Sequence, residues 1–121
     1  MILVDTSVWI DHFRQGDMRL QQVLAAGAAI LHPFVIGELA LGNLRRRDVI
    51  LEALAALPQA TVAETEEVLG LIAAEALYGR GIGYVDAHLV AAVRLTPGAV
   101  LWTRDKRLAA VAERLGIAFQ T

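Results

Sequence analysis

Four acidic residues in this 121-residue chain, Asp5, Glu38, Asp86 and Asp105, stand where carboxylates can do chemistry. Asp5 directly follows the apolar run Ile2-Leu3-Val4, and Asp105 follows Val100-Leu101-Trp102-Thr103 by two residues. Asp86 lies in the first turn of a predicted helix. Glu38 interrupts an otherwise apolar one, with Val35 and Ile36 before it and Leu39, Ala40 and Leu41 after it. A lone carboxylate on such a helix needs a partner or an open cleft. Brought together, like charges repel. At ~4 Å and an effective dielectric near 20, each pair costs about 4 kcal/mol before screening. Proton uptake or a bound cation relieves that cost. Four hard oxygen ligands favour Mg²⁺ or Mn²⁺ over Zn²⁺, and the chain has no cysteine to supply a thiolate. Such ions can hold a phosphodiester and activate a water for in-line attack. Taken singly, Asp5 and Asp105 are equally well explained as helix caps and Glu38 as a solvated side chain. The case rests on their combination.

The elements that would position these acids can be read from the apolar pattern. Ile2–Val4, Ala28–Leu31, Ala60–Val62 and Val100–Thr103 are short apolar runs without alternation, the pattern of strands buried on both faces of a parallel sheet. Ile117–Phe119 is a fifth candidate, at an edge. Between them, helical spacing predicts helices over 8–13, 18–26, 35–44, 48–57, 65–78 and 85–95, with a last one opened by Asp105. The alternation of strands and helices predicts an α/β fold of three layers: a mostly parallel central sheet of four to five strands with helices on both faces. In such sheets ligands bind beyond the carboxyl ends of the strands. Asp5 and Asp105 belong to that edge, and the helices bearing Glu38 and Asp86 start from it.

Composition narrows the classes. The length suits one domain, taken as 1–121. Hydrophobic residues make up 56% and charged residues 20%, which excludes intrinsic disorder. The absence of cysteine excludes a disulfide scaffold and a cysteine nucleophile. The longest apolar stretch, Val23 to Leu31, is well short of the ~20 residues that span a bilayer. The N-terminus lacks the basic start of a signal peptide. We therefore expect a soluble, cytoplasmic protein with no membrane association. A formal charge of −2 gives no global attraction to nucleic acid, so any such binding needs a local patch. Arg104, Lys106 and Arg107, flanking Asp105, are candidates for touching an RNA backbone, and a solvated helix face explains them equally well. His88, two residues beyond Asp86, points about 200° away round a helix and is not expected to share an ion with it. His32, Trp9 and Trp102 read as structural. Tyr78 and Tyr84, beside the glycines at 79, 81 and 83, could stack on a base, although packing is their commoner use.

Four blocks carry a family resemblance: Ile2-Leu3-Val4-Asp5-Thr6-Ser7-Val8-Trp9-Ile10-Asp11, Pro33-Phe34-Val35-Ile36-Gly37-Glu38-Leu39-Ala40-Leu41-Gly42, Gly83-Tyr84-Val85-Asp86-Ala87-His88-Leu89 and Leu101-Trp102-Thr103-Arg104-Asp105-Lys106-Arg107-Leu108. In this order and spacing the chain resembles PIN-domain ribonucleases, in particular the VapC-type toxins of bacterial toxin–antitoxin pairs, over nearly its whole length. The resemblance implies an acidic quartet of Asp5, Glu38, Asp86 and Asp105 that holds Mg²⁺ or Mn²⁺, with Thr6, Ser7 and Thr103 as supporting polar groups. It also implies cleavage of RNA, with tRNA or rRNA as substrate, a homodimer, and inhibition by a cognate antitoxin. The apolar helices over 35–44 and 48–57 would offer that antitoxin a groove. The alternatives are a metal-dependent nuclease or phosphatase with a non-RNA substrate and, more remotely, a receiver-type signalling module. A receiver needs paired acids after its first strand and a strand-end lysine. Here Asp5 stands alone and Lys106 falls on a helix.

Overall fold

The computed structural model describes residues 1–120. Its elements run β1 (Ile2–Val4), α1 (Thr6–Gln15), α2 (Met18–Ala25), β2 (Ala29–Ile30), α3 (Pro33–Ala40), α4 (Arg47–Ala56), α5 (Thr65–Ala74), α6 (Tyr84–Arg94), β3 (Val100–Trp102) and α7 (Lys106–Arg114). The sheet is parallel with order β2-β1-β3. Leu3 lies between Ile30 and Leu101 in register, and Val4 pairs with Trp102. Consecutive strand residues point to opposite faces. Leu3 and Val4, Ala29 and Ile30, and Leu101 and Trp102 are all buried, so both faces of the sheet are covered. That double burial explains why these strands are continuous apolar runs rather than alternating ones.

The sheet has three strands rather than four to five. The two missing candidates survive as single bridges, one at each edge. Gln59 bridges Leu31 beyond β2, and Ala118 bridges Leu101 beyond β3. At the first edge, Leu31 N–H donates to Pro58 and Ala60 N–H donates back to Leu31. Pro58 has no N–H to extend that ladder, and the chain then turns away toward α5. At the second edge, Leu101 N–H donates to Ile117 and Phe119 N–H donates back to Leu101.

Three helices are shorter than the periodicity predicts. α3 stops at Ala40, α5 at Ala74 and α2 one residue early, at Ala25; α4 keeps its predicted length but is shifted by one residue. Beyond α5 the backbone of Ala76 takes the left-handed conformation (φ 51°), which ends the helix before the glycines. The core joins the sheet to α1, α2, α3, α6 and α7 through Val8, Leu20, Val35, Leu89 and Leu108, each fully enclosed. Each such side chain contributes about 1.5–3 kcal/mol by leaving water. Trp9 and Trp102 belong to this core, as expected. Among the described residues no helix is long and apolar enough to cross a membrane.

Because β1 is central, the chain leaves it for β2 on one side and returns to β3 on the other. Crossovers to opposite edges open a crevice beyond the strands' carboxyl ends. Asp5 leaves β1 into that crevice, and Asp105 follows β3 into it.

Candidate active site

Asp5 occupies the residue before α1, the place of a helix cap, yet its side chain makes no capping bond. It is turned instead toward the end of β3. Its Oδ2 accepts hydrogen bonds from the Ser7 hydroxyl (2.9 Å) and the Thr103 hydroxyl (2.7 Å). Those two hydroxyls lie 3.4 Å apart, and Ser7 Oγ also accepts from the Arg104 N–H. This net binds the end of β1 to the end of β3. The carboxylate is 6% exposed, so donors must offset the cost of burying its charge.

Asp105 caps α7: its Oδ1 accepts from the Arg107 and Leu108 N–H groups, both at 2.9 Å. Here the cap reading and the site reading describe the same residue. Glu38, exposed on α3, accepts the Thr6 hydroxyl at Oε1 (2.7 Å), which ties α3 to the start of α1. Asp86, in the first turn of α6, reaches back so that its Oδ2 accepts from the Gly83 N–H at 3.0 Å. Thr6, Ser7 and Thr103 are therefore the hydroxyls that orient two of the four acids.

The four carboxylates share one electrostatic site. Burial raises the pKa of Asp86 above the usual carboxylate value, and the charges of Asp5, Asp105 and Glu38 raise it further; the Gly83 N–H acts the other way. Among the described residues no three acids or imidazoles stand close enough to ligate one ion together. Each acid instead stands in its own hydrogen bonds. The donor set still suits a hard cation. Every acid commits one oxygen to the protein and keeps the other free of protein partners among the described residues: Asp5 Oδ1, Glu38 Oε2, Asp86 Oδ1 and Asp105 Oδ2. None of these free oxygens is sealed from solvent.

The three basic candidates separate. Arg104 is ion-paired with Asp11 (2.8 Å) and with Asp17, and its guanidinium lies over the Trp102 ring at 5.7 Å. Its charge is already matched. Lys106 and Arg107 are exposed, and neither has an ion-pair partner among the described residues. The Arg107 side chain rests against Gly81, where a Cβ would meet its Cδ at 2.7 Å. The Arg104 pairing was not visible in the sequence, because Asp11 and Asp17 lie 93 and 87 residues away. The Gly81 contact gave no signal beyond the glycine itself.

These features define the class. The PIN domain family model matches residues 2–114, and the chain belongs to that family. It is 53% identical over 118 residues to Ribonuclease VapC32 of Mycobacterium tuberculosis, in strains CDC 1551 / Oshkosh and ATCC 25618 / H37Rv alike. The match covers 98% of this chain and 95% of that protein. The crystal structure of PAE2754 from Pyrobaculum aerophilum has the same fold, with a TM-score of 0.68 at 18% identity, over 98% of this chain and 87% of that one. Membership of the PIN family sets aside the receiver alternative.

Proposed function

We propose that this protein is a metal-dependent endoribonuclease, the toxin of a toxin–antitoxin pair, working as a single PIN domain over residues 1–121. The observation that carries the proposal is the set of four carboxylates at one sheet edge, each held by one oxygen and free at the other. The 53% identity to Ribonuclease VapC32 supports RNA as the substrate; tRNA or rRNA is the class this reading expects.

Asp5, Glu38, Asp86 and Asp105 would hold Mg²⁺ or Mn²⁺, which when bound offsets charge on the scissile phosphate and makes a water nucleophilic at neutral pH. The chain's own residues prepare for this. Ser7 and Thr103 fix Asp5, Thr6 fixes Glu38, and the α7 cap fixes Asp105, so the donors need little reorganisation. The raised pKa of Asp86 reflects burial of its charge first and repulsion from Asp5, Asp105 and Glu38 second, and a cation would relieve both. Lys106 and Arg107, exposed and without an ion-pair partner among the described residues, would meet the RNA backbone; Arg104 would add to them only by giving up Asp11 or Asp17.

The antitoxin would occupy a groove of about 750 Å³ between α1, α3 and α4, floored by Ile10, Phe13, Leu39, Val49 and Ile50. Glu38 lies at its wall, so an occupant reaches the acidic site directly. An amphipathic helix suits this surface. Exposed Val62 and Leu69 offer apolar area to a second copy in a homodimer. The reading places the protein in the cytoplasm, where its RNA substrates are.

Incubation with labelled total RNA tests the reading. Discrete cleavage with Mg²⁺ or Mn²⁺, abolished by EDTA, is the expected result. Cleavage of DNA in preference to RNA would move the substrate to the alternative class, and metal-independent cleavage would contradict the mechanism.

A further inference from the structure

Two buried histidines face each other beside the acidic site. His32 ends the segment after β2 and is fully enclosed, and His88 on α6 is 4% exposed. Their ring centroids lie 6.2 Å apart at 64°. Phe34 packs edgewise on both rings, and Tyr84 packs on His88. The Phe34 N–H donates to His32 Nδ1 at 3.0 Å, so the neutral His32 ring carries its proton on Nε2. That Nε2 is buried and has no hydrogen-bond partner among the described residues, and neither has His88 Nδ1. A buried donor and a buried acceptor-capable nitrogen are thus both orphaned on neighbouring rings. Each orphan costs about 1–3 kcal/mol if it stays unpaired. A centroid separation of 6.2 Å keeps the two nitrogens beyond the ~2.9 Å of a direct bond, so a partner common to both must be a bridging one such as water.

We propose that one buried water accepts from His32 Nε2–H and donates to His88 Nδ1, making His32 and His88 positioning residues that lock the first turn of α6, and with it Asp86, against the head of α3. The water gains two partners, the usual minimum for an internal site. His88 then keeps its own proton on Nε2. Burial and the nearby His88 hold the pKa of His32 down to about 4, so His32 remains a neutral single donor at neutral pH. Only the consequence for Asp86 rests on the nuclease reading; the relay itself does not.

Long-range ¹H–¹⁵N correlation on the labelled full chain at neutral pH reads the two tautomers without any substrate. Protons on Nε2 of both rings are expected, with a cross-relaxation peak from the His32 Nε2 proton to a long-lived water. A proton on His88 Nδ1, or no water peak, would overturn the relay, whatever the protein cleaves. A second arm uses variants. His32→Asn keeps an acceptor for the Phe34 N–H but ends the relay, and should lower kcat for RNA cleavage about tenfold with KM nearly unchanged. His88→Asn, whose amide falls where Nδ1 stood, should retain more activity than His88→Gln. Equal losses in the two His88 variants, or an unchanged kcat in His32→Asn, would show that the pair does not position Asp86.

Discussion

The Thr103 hydroxyl donates to Asp5 Oδ2 at 2.7 Å, joining residues 98 positions apart. The Thr103 Oγ1 itself accepts from the Asp105 backbone N–H at 3.1 Å. One side chain at the end of β3 thus holds the Asp5 carboxylate and the Asp105 backbone. Thr103→Val keeps the shape and removes both bonds. We expect a stability loss of about 1–2 kcal/mol and a drop in cleavage rate of roughly tenfold or more, because Asp5 is freed to turn. Thermal melting beside initial cleavage rates checks both. An unchanged rate would mean that Asp5 needs no orienting hydroxyl from β3.

Arg104 is a clamp between the end of β3 and the α1–α2 turn. Its carboxylate partner Asp17 has a pKa below the usual value, held down first by the Leu20 N–H bond and then by Arg104. A carboxylate with a depressed folded pKa contributes stability above its unfolded pKa and loses it as pH falls through the folded one. Arg104→Ala should therefore lower the melting temperature at pH 7, by the equivalent of about 1 kcal/mol or less for these partly exposed pairs. The gap from wild type should close below about pH 4. A gap that does not narrow as pH falls below the ordinary carboxylate range would point to lost packing on Trp102 instead.

Arg107 lies over Gly81, whose φ of +78° disfavours any side chain. Gly81→Ala should destabilise the chain by about 1–2 kcal/mol and displace the guanidinium. If Arg107 meets a phosphate, Arg107→Ala should weaken RNA binding and flatten its salt dependence by about one ion. Gly81→Ala should do the same in part. Filter binding across a salt series reads this directly. Identical salt slopes for wild type and Arg107→Ala would remove Arg107 from the RNA contact.

His32 gives the fold an acid-sensitive point. Its folded pKa of about 4 lies below the ordinary histidine value, because burial disfavours the charged ring and His88 adds to that. The unfolded chain takes up the proton first. Stability from this residue is thus complete above about pH 6.5 and lost as pH falls toward 4, amounting to at most about 3 kcal/mol. Urea unfolding of wild type and His32→Asn at pH 7 and pH 4.5 should show the wild type losing more. Equal losses would mean that His32 is not held neutral.

β1 and β3 were legible because a strand buried on both faces must be apolar at every position, and Ile2–Val4 and Val100–Trp102 are. The edge strands were not. Whether 60–62 or 117–119 forms a ladder or a single bridge depends on the neighbouring edge, not on local residue types. The end of α5 was hidden for a related reason: Glu75, Ala76 and Leu77 all suit a helix, and only the left-handed Ala76 backbone breaks it. The four acids were legible because strand ends and helix starts can be located from the apolar pattern. The Thr6–Glu38 and Thr103–Asp5 bonds, the Arg104 clamp and the His32–His88 pair join residues 32 to 98 positions apart, and only the folded chain brings them together.

The central claim is that the four acids act together on a cation, and Asp86 tests it most directly. Its pKa is raised, so at neutral pH the ionised group costs folding energy. That contribution is favourable below the unfolded pKa and is lost as pH rises through the folded one. Single-turnover cleavage of target RNA by wild type and Asp86→Asn, with melting curves in EDTA, measures both sides. The account predicts a rate lower by several orders of magnitude together with a melting temperature at pH 7 equal to or above that of wild type. Near-normal cleavage by the folded Asp86→Asn protein would contradict it.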